Sequence, residues 1–171
     1  MTGSNSGVTN NGQTSFEQYE SSTAEADNER KLEDYALDLL NLSLQPGDKS
    51  TAVVWDHIEC TQSNYGGTTI PKSFNIDTPS GKMWAHGNAT EHIYETMISI
   101  KATPALKNSN PRLYEQFILY DYYKSLGNAV KNGIVYNKKI IEGNWEFIFA
   151  KPRENSKYPV IKHSKFSGLS K

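Results

Sequence analysis

Three of the four histidines in this chain sit in two short runs where bases and aromatic residues also gather. His86 and His92 lie six residues apart in Trp84–His92, and Lys162 and His163 close the run Pro159–His163. Histidine exchanges a proton near neutral pH, while arginine and lysine stabilise a phosphate oxyanion. His86, His92 and His163 as proton-transfer groups, with Arg153, Lys162 and Lys139 on phosphate, are the parts needed to cleave RNA without a metal or other cofactor. A base takes the 2′-hydroxyl proton, an acid protonates the leaving 5′-oxygen, and a cation faces the phosphorane. Tyr136 and Glu146 are further members, and Asn88 and Glu91 support the set from a strand-to-helix joint. The competing explanation is that one or more of these histidines is a packed or capping residue.

A second chemistry uses other partners. His57, His86 and His92 with Asp56 or Glu91 would supply nitrogen and oxygen ligands to a divalent ion in a metal-dependent nuclease. The chain has no HExxH or CxxC run and no carboxylate cluster of the kind such ions prefer. It also has no GxGxxG run, phosphate-binding GxxxxGK loop or GxSxG elbow. Cys60 is the single cysteine, which rules out an internal disulfide framework and a cysteine-based zinc cluster.

The elements that must position these residues follow from spacing. Ile70, Phe74 and Ile76 alternate, and Thr78-Pro79-Ser80-Gly81 suits a type I turn. The run is therefore predicted to be a hairpin whose return strand, Lys82–His86, is broken by Gly87. Asn88 is expected to cap a helix, with Glu91 three residues on completing a capping box. Ile93, Met97, Ile98 and Ile100 give that helix its apolar side. Pro111 opens a second helix that Gly133 terminates, and its tyrosines are expected mostly in the core. Strands are predicted at 51–60, 134–136, 140–141, 145–150 and 158–166. The fold class is α+β: an antiparallel sheet of about four to six strands with two or three helices packed on one face.

Residues 1–27 are polar and poor in apolar side chains, which predicts a disordered leader or linker. Residues 28–50 read as a helix and connector, belonging either to the domain or to the end of a longer parent, and residues 51–171 as the folded domain. Residues 1–50 carry nine acidic and three basic side chains, residues 51–100 five and two, and residues 101–171 five and thirteen. A basic final third suits an anionic partner such as RNA. No apolar run approaches the ~18–20 residues a membrane span needs. The opening MTGSNSGVTNNG lacks the basic start and apolar stretch of a secretory signal.

The runs IPKSFNIDTPSGKMWAHGNATEHI and WEFIFAKPRENSKYPVIKHSKF resemble C-terminal toxin domains of bacterial polymorphic toxins, the cassettes appended to LXG-type or RHS-type delivery proteins. The likeness covers roughly Thr51 to Phe166. Its most specific parts are W-x-H-x-N-x-T-x-H at Trp84–His92 and P-V-I-K-H at Pro159–His163. It implies an RNase of the barnase/EndoU/colicin/RelE-like group, with helices followed by an antiparallel sheet. It also implies export within a larger toxin, action in the target-cell cytoplasm, a cognate immunity protein, and a monomer when free. The rival class is a non-enzymatic domain, either an immunity protein or a nucleic-acid adaptor. An immunity protein against a cationic nuclease should be acidic on its folded part. Residues 51–171 instead carry ten acidic and fifteen basic side chains.

Overall fold

Pro79 and Gly81 build the first hairpin as their positions require. The Gly81 N–H donates to the Thr78 carbonyl at 2.9 Å, and Gly81 takes φ 100°. On either side lie β2 (Ser73–Ile76) and β3 (Met83–His86), with β1 (Ile58–Cys60) paired antiparallel to β2. A second antiparallel group contains β4 (Ile140–Glu142), β5 (Trp145–Ala150) and β6 (Val160–Phe166). The six strands form one sheet in the order β1-β2-β3-β6-β5-β4. The fold is α+β, and the sheet is antiparallel throughout except between β3 and β6, which run parallel. The expected antiparallel sheet is thus present with one parallel pair in it. The two helices and strand pair between β3 and β6 make a connection long enough to return the chain in the same direction.

The computed structural model describes Asp34, Tyr35, Leu37, residues 50–102, Pro104 and residues 111–167. The expected leader, nearly all of the helix and connector at 28–50, and most of the connection 103–110 lie outside those residues. Asp34, Tyr35 and Leu37 are helical. Tyr35 belongs to the domain core: its ring lies 4.8 Å from Phe166, and its hydroxyl donates to Asp121 at 2.8 Å.

Two α-helices and a 3-10 helix pack against the sheet. Helix α1 (Asn88–Lys101) buries Ala89, Ile93, Met97 and Ile100, a stripe at helical spacing. Helix α2 (Pro111–Val130) buries Tyr114, Phe117, Ile118, Leu119, Tyr122 and Leu126, more of its circumference than a surface helix would. The tyrosines therefore divide. Tyr114 and Tyr122 are core, and Tyr122 meets Trp145 and Phe147 edge-on at 5.1 and 5.5 Å. Tyr120 and Tyr123 are only half-buried. From the sheet, Phe74, Ile76, Met83, Ala85, Trp145, Phe147, Phe149 and Ile161 complete the core.

Three local expectations are corrected. The cap of α1 is Gly87 (φ 57°, ψ −124°), not Asn88, and no side chain caps the helix, so the Asn88–Glu91 capping box does not form. That backbone conformation favours glycine, and it lets the chain turn from strand to helix within one residue. Thr90 secures the joint instead: its hydroxyl donates to the Lys72 carbonyl at 2.8 Å and lies 2.9 Å from the Tyr65 hydroxyl. The second correction falls on 51–60, where Ser50–His57 is a 3-10 helix and only Ile58–Cys60 is strand. Gln116 of α2 explains the change, because its amide bonds both Thr51 Oγ1 (2.8 Å) and Trp55 Nε1 (3.0 Å). In a strand those two residues would lie about 13 Å apart, beyond the reach of one amide, whereas coiling brings them close, so tertiary pairing overrides the segment's β-branched composition. The third is 134–136, where Tyr136 forms just an isolated bridge to Phe149.

One buried carboxylate ties the segment after β1 to the helices. Glu115 of α2 is wholly buried and accepts from the Thr69 N–H (2.7 Å) and hydroxyl (2.6 Å). Arg112 pairs with it at 3.0 Å, and Lys101 of α1 lies 3.8 Å away. Removing a buried acceptor strands its donors. Glu115→Ala should therefore cost about 3 kcal/mol, read as a lower urea midpoint at unchanged slope. A loss well under about 1 kcal/mol would show that water replaces the carboxylate at no cost.

Candidate active site

Alternation along the strands decides which side chains meet the helices and which face away. In β3, Met83 and Ala85 are buried in the core, leaving Trp84 and His86 half-buried on the opposite face. In β5, Trp145, Phe147 and Phe149 are core, leaving Glu146, Ile148 and Ala150. Partners in register share a face, so His163 joins this open side opposite Ile148, and Lys165 joins it opposite Glu146. A register shift at Ile148/Phe149 leaves Lys162 as an extra residue in β6. Bulges of this kind re-aim side chains, and here the exposed Lys162 and half-buried His163 follow each other without an inward residue between them.

The parallel join brings β3 beside this bulge. Trp84 pairs with Val160 and Ala85 with Ile161, so His86 stands at the position next to Lys162. β3 ends there while β6 continues to Phe166, and α1 packs along β6 beyond the end of β3. That route carries His92 to His163. Their rings meet edge to face, with centroids 5.7 Å apart at 72°.

Each of these two imidazoles has a carboxylate. His163 Nε2 donates to Glu146 Oε2 at 2.9 Å, and His92 Nδ1 donates to Glu95 Oε1 at 2.9 Å. A carboxylate on one ring nitrogen fixes the ring's orientation and leaves the other nitrogen to exchange a proton with a substrate. Lys139 Nζ lies 3.9 Å from Glu146 and adds a cation to the group. The third histidine is held differently. His86 stacks on Trp84, ring centroids 3.9 Å apart at 14°, and the Arg153 guanidinium lies 5.6 Å from the same indole. Burial, helped by the Arg153 charge, holds His86 below the ordinary histidine range, so its neutral form is favoured.

The residues singled out in the sequence fall into separate groups. His92, His163, Glu146 and Lys139 form one linked group; His86 and Arg153 flank Trp84; Lys162 is exposed on the strand between them. Tyr136 packs against the core and has the Lys151 ammonium 5.9 Å from its ring, apart from the histidine pair. Asn88 and Glu91 are exposed on the first turn of α1. His57 sits elsewhere, paired with Asp77 at the hairpin-turn end of β2, whereas His86 lies at the other end of β3, about 10 Å along the strand. Among the described residues no three His, Cys, Asp or Glu side chains are grouped to hold a metal ion, so the His57–His86–His92 set is not assembled. No helix among them is long and apolar enough to cross a membrane.

Two members were missed, although the sequence held a signal for each. Trp84 is two residues before His86 and so shares its face in a strand. Glu95 is three residues after His92 and so shares its side of a helix. No protein-family model matches this chain, and no curated protein matches it.

The Trp84 arrangement has a measurable consequence. Arg153→Gln removes one cause of the lowered His86 titration, so the His86 midpoint followed by NMR should rise toward the ordinary value and remain somewhat below it. Because the unfolded chain binds the His86 proton more readily, this residue makes stability rise with pH between its lowered value and the ordinary one, and flat above. An unchanged midpoint in the variant would place Arg153 too far from His86 to matter.

Proposed function

We propose that the folded domain is a metal-independent ribonuclease, the toxin part of a bacterial polymorphic toxin, cleaving RNA by transesterification. The observation that carries this reading is the His92–His163 ring contact, with a carboxylate behind each ring, on the face where burial lowers the His86 pKa. His86 takes the 2′-hydroxyl proton, because a base must be unprotonated at working pH. His163, oriented by Glu146, protonates the leaving 5′-oxygen, and His92 supports it. Arg153, Lys162 and Lys139 stabilise the phosphorane charge. The excess of bases over acids in residues 101–171 suits a polyanionic substrate.

The biological setting follows from the resemblance of the two histidine-bearing runs to toxin cassettes. On that reading the domain is exported within a larger toxin and acts in the cytoplasm of a competing cell. A cognate immunity protein covers the basic face, and the free domain is monomeric. An immunity protein for such a face would be acidic.

RNA cleavage with EDTA present tests the chemistry. Wild type should cut total RNA and tRNA but leave DNA, which lacks the 2′-hydroxyl. His86→Ala and His163→Ala should each lose about 10²- to 10⁴-fold in rate while keeping the wild-type circular dichroism spectrum. The acidic limb of the rate profile should lie below the ordinary histidine range, since His86 titrates low. Cleavage that appears only when a divalent ion is added would replace acid–base chemistry with a metallonuclease. No cleavage of any RNA by the folded protein would turn the assignment to a binding domain.

A further inference from the structure

A groove of about 430 Å³ lies between the hairpin turn and the last turns of α2, at the opposite end of β3 from His86. Its walls are fixed. Ser80 Oγ donates to the Val130 carbonyl at 2.6 Å, which ties the turn to the end of α2. Pro79 and Gly127 line the narrow part, where even a Cβ on Gly127 would lie 3.6 Å from Pro79 Cδ. His57 and Tyr123 form an aromatic wall, stacked with centroids 4.9 Å apart at 12°. Lys124, Asn128 and Lys131 complete the lining from α2 and the turn after it.

Charge at this groove favours an anion. Its one carboxylate, Asp77, is already engaged on both oxygens, by Lys82 at 2.8 Å and His57 at 3.1 Å. Those partners hold it well ionised, with the Lys82 hydrogen bond foremost in lowering it. Lys124 and Lys131 have no carboxylate partner among the described residues; Lys124 lies 5.9 Å from the Tyr120 ring. The helix end does not oppose an anion with a bare carbonyl at Val130, because Ser80 Oγ and the Gly133 N–H both donate to it. Aromatic surface, an amide and two uncommitted ammonium groups in a space of small-ligand size are the elements of nucleotide recognition.

We propose that this groove is a second nucleotide-binding site. Lys124 and Lys131 hold the phosphate, Asn128 hydrogen-bonds the sugar or base, and Tyr123 with His57 gives the base an apolar wall. The nucleotide comes either free or as one unit of a polynucleotide. The site shares no residue with the histidine face, and the proposal does not depend on RNA cleavage.

Calorimetric titration of the full chain with 5′-UMP, inorganic phosphate and a short single-stranded DNA separates these possibilities. DNA has no 2′-hydroxyl, so binding is read without turnover. Saturable UMP binding, tighter than inorganic phosphate and weakened about tenfold or more in Lys124→Gln/Lys131→Gln, is the expected result. The same variant should reduce the salt slope of DNA binding by about 1.4, two contacts at about 0.7 each. Arg153→Gln and Lys162→Gln, which alter the histidine face, should leave the component of UMP binding that is lost in the Lys124/Lys131 variant as in the wild type. Where binding falls in the Lys124/Lys131 variant, tight DNA with weak UMP identifies a polynucleotide as the source and comparable affinities a free nucleotide; both support the site. Unchanged binding in the lysine variant, loss of all UMP binding in the Arg153 or Lys162 variant alone, or no saturable binding at all would overturn it.

Discussion

The parallel pairing of β3 with β6 is the interaction on which the rest of the domain depends. Among the described residues it is the strand pairing that joins β1-β2-β3 to β6-β5-β4. Two register pairs, Trp84↔Val160 and Ala85↔Ile161, and the bond from Trp84 N–H to the Pro159 carbonyl at 2.8 Å define it. So short a ladder is not stable alone. Its support is packing on both faces. Ala85 and Ile161 lie in the core beneath the helices, and on the other face Val160 is fully buried outside that core. The seam closes a loop of more than 70 residues, which makes it a high-contact-order event expected late in folding.

The same seam makes the histidine face possible. His86 and His163 are far apart in sequence and come onto adjacent strands of one face because the two strands run side by side in the same direction. An antiparallel pairing in that place would reverse β6 and carry its second half, with His163, away from α1. Because β6 outlasts β3, α1 lies along the uncovered part of β6 and delivers His92 to the ring of His163. The strand order, the unequal strand lengths and the bulge at Lys162 therefore act together on one short stretch of β6.

Much of the fold could be read from the sequence because it is written in local patterns. Pro79 and Gly81 specify their turn, Trp145–Ala150 alternates cleanly, and Pro111 and Gly133 bracket a helix that ends at Val130. What escaped depends on partners distant in the chain. Thr51 and Trp55 coil because Gln116 binds both, and Thr69 is ordered by Glu115. Neither partner is visible from composition. Asn88 looked like a cap, but Gly87 accomplishes the turn with a conformation an asparagine side chain need not support. For the site, residue types indicated the participants and spacing left their meeting open. The His57 environment was the reverse case, since Asp77 and Tyr123 gave no local hint of converging on it.

Three glutamate and aspartate side chains show how surroundings, not residue type, separate scaffold from chemistry. Glu115 is wholly buried and satisfied by backbone, hydroxyl and cationic donors, so it has no capacity left to offer a ligand. Asp121 collects Tyr35, Trp145 and Asn144 on one oxygen, joining the N-terminal helical segment, α2 and β5. Glu146 sits on the face that the helices leave open, and its partners are His163 and Lys139, groups that can themselves exchange protons or meet an anion. A carboxylate that orients a titratable ring beside solvent can take part in a reaction, while one enclosed by fixed donors can only hold the fold. The division follows from which strand positions face the helices, and so from the two-residue alternation of β5 itself.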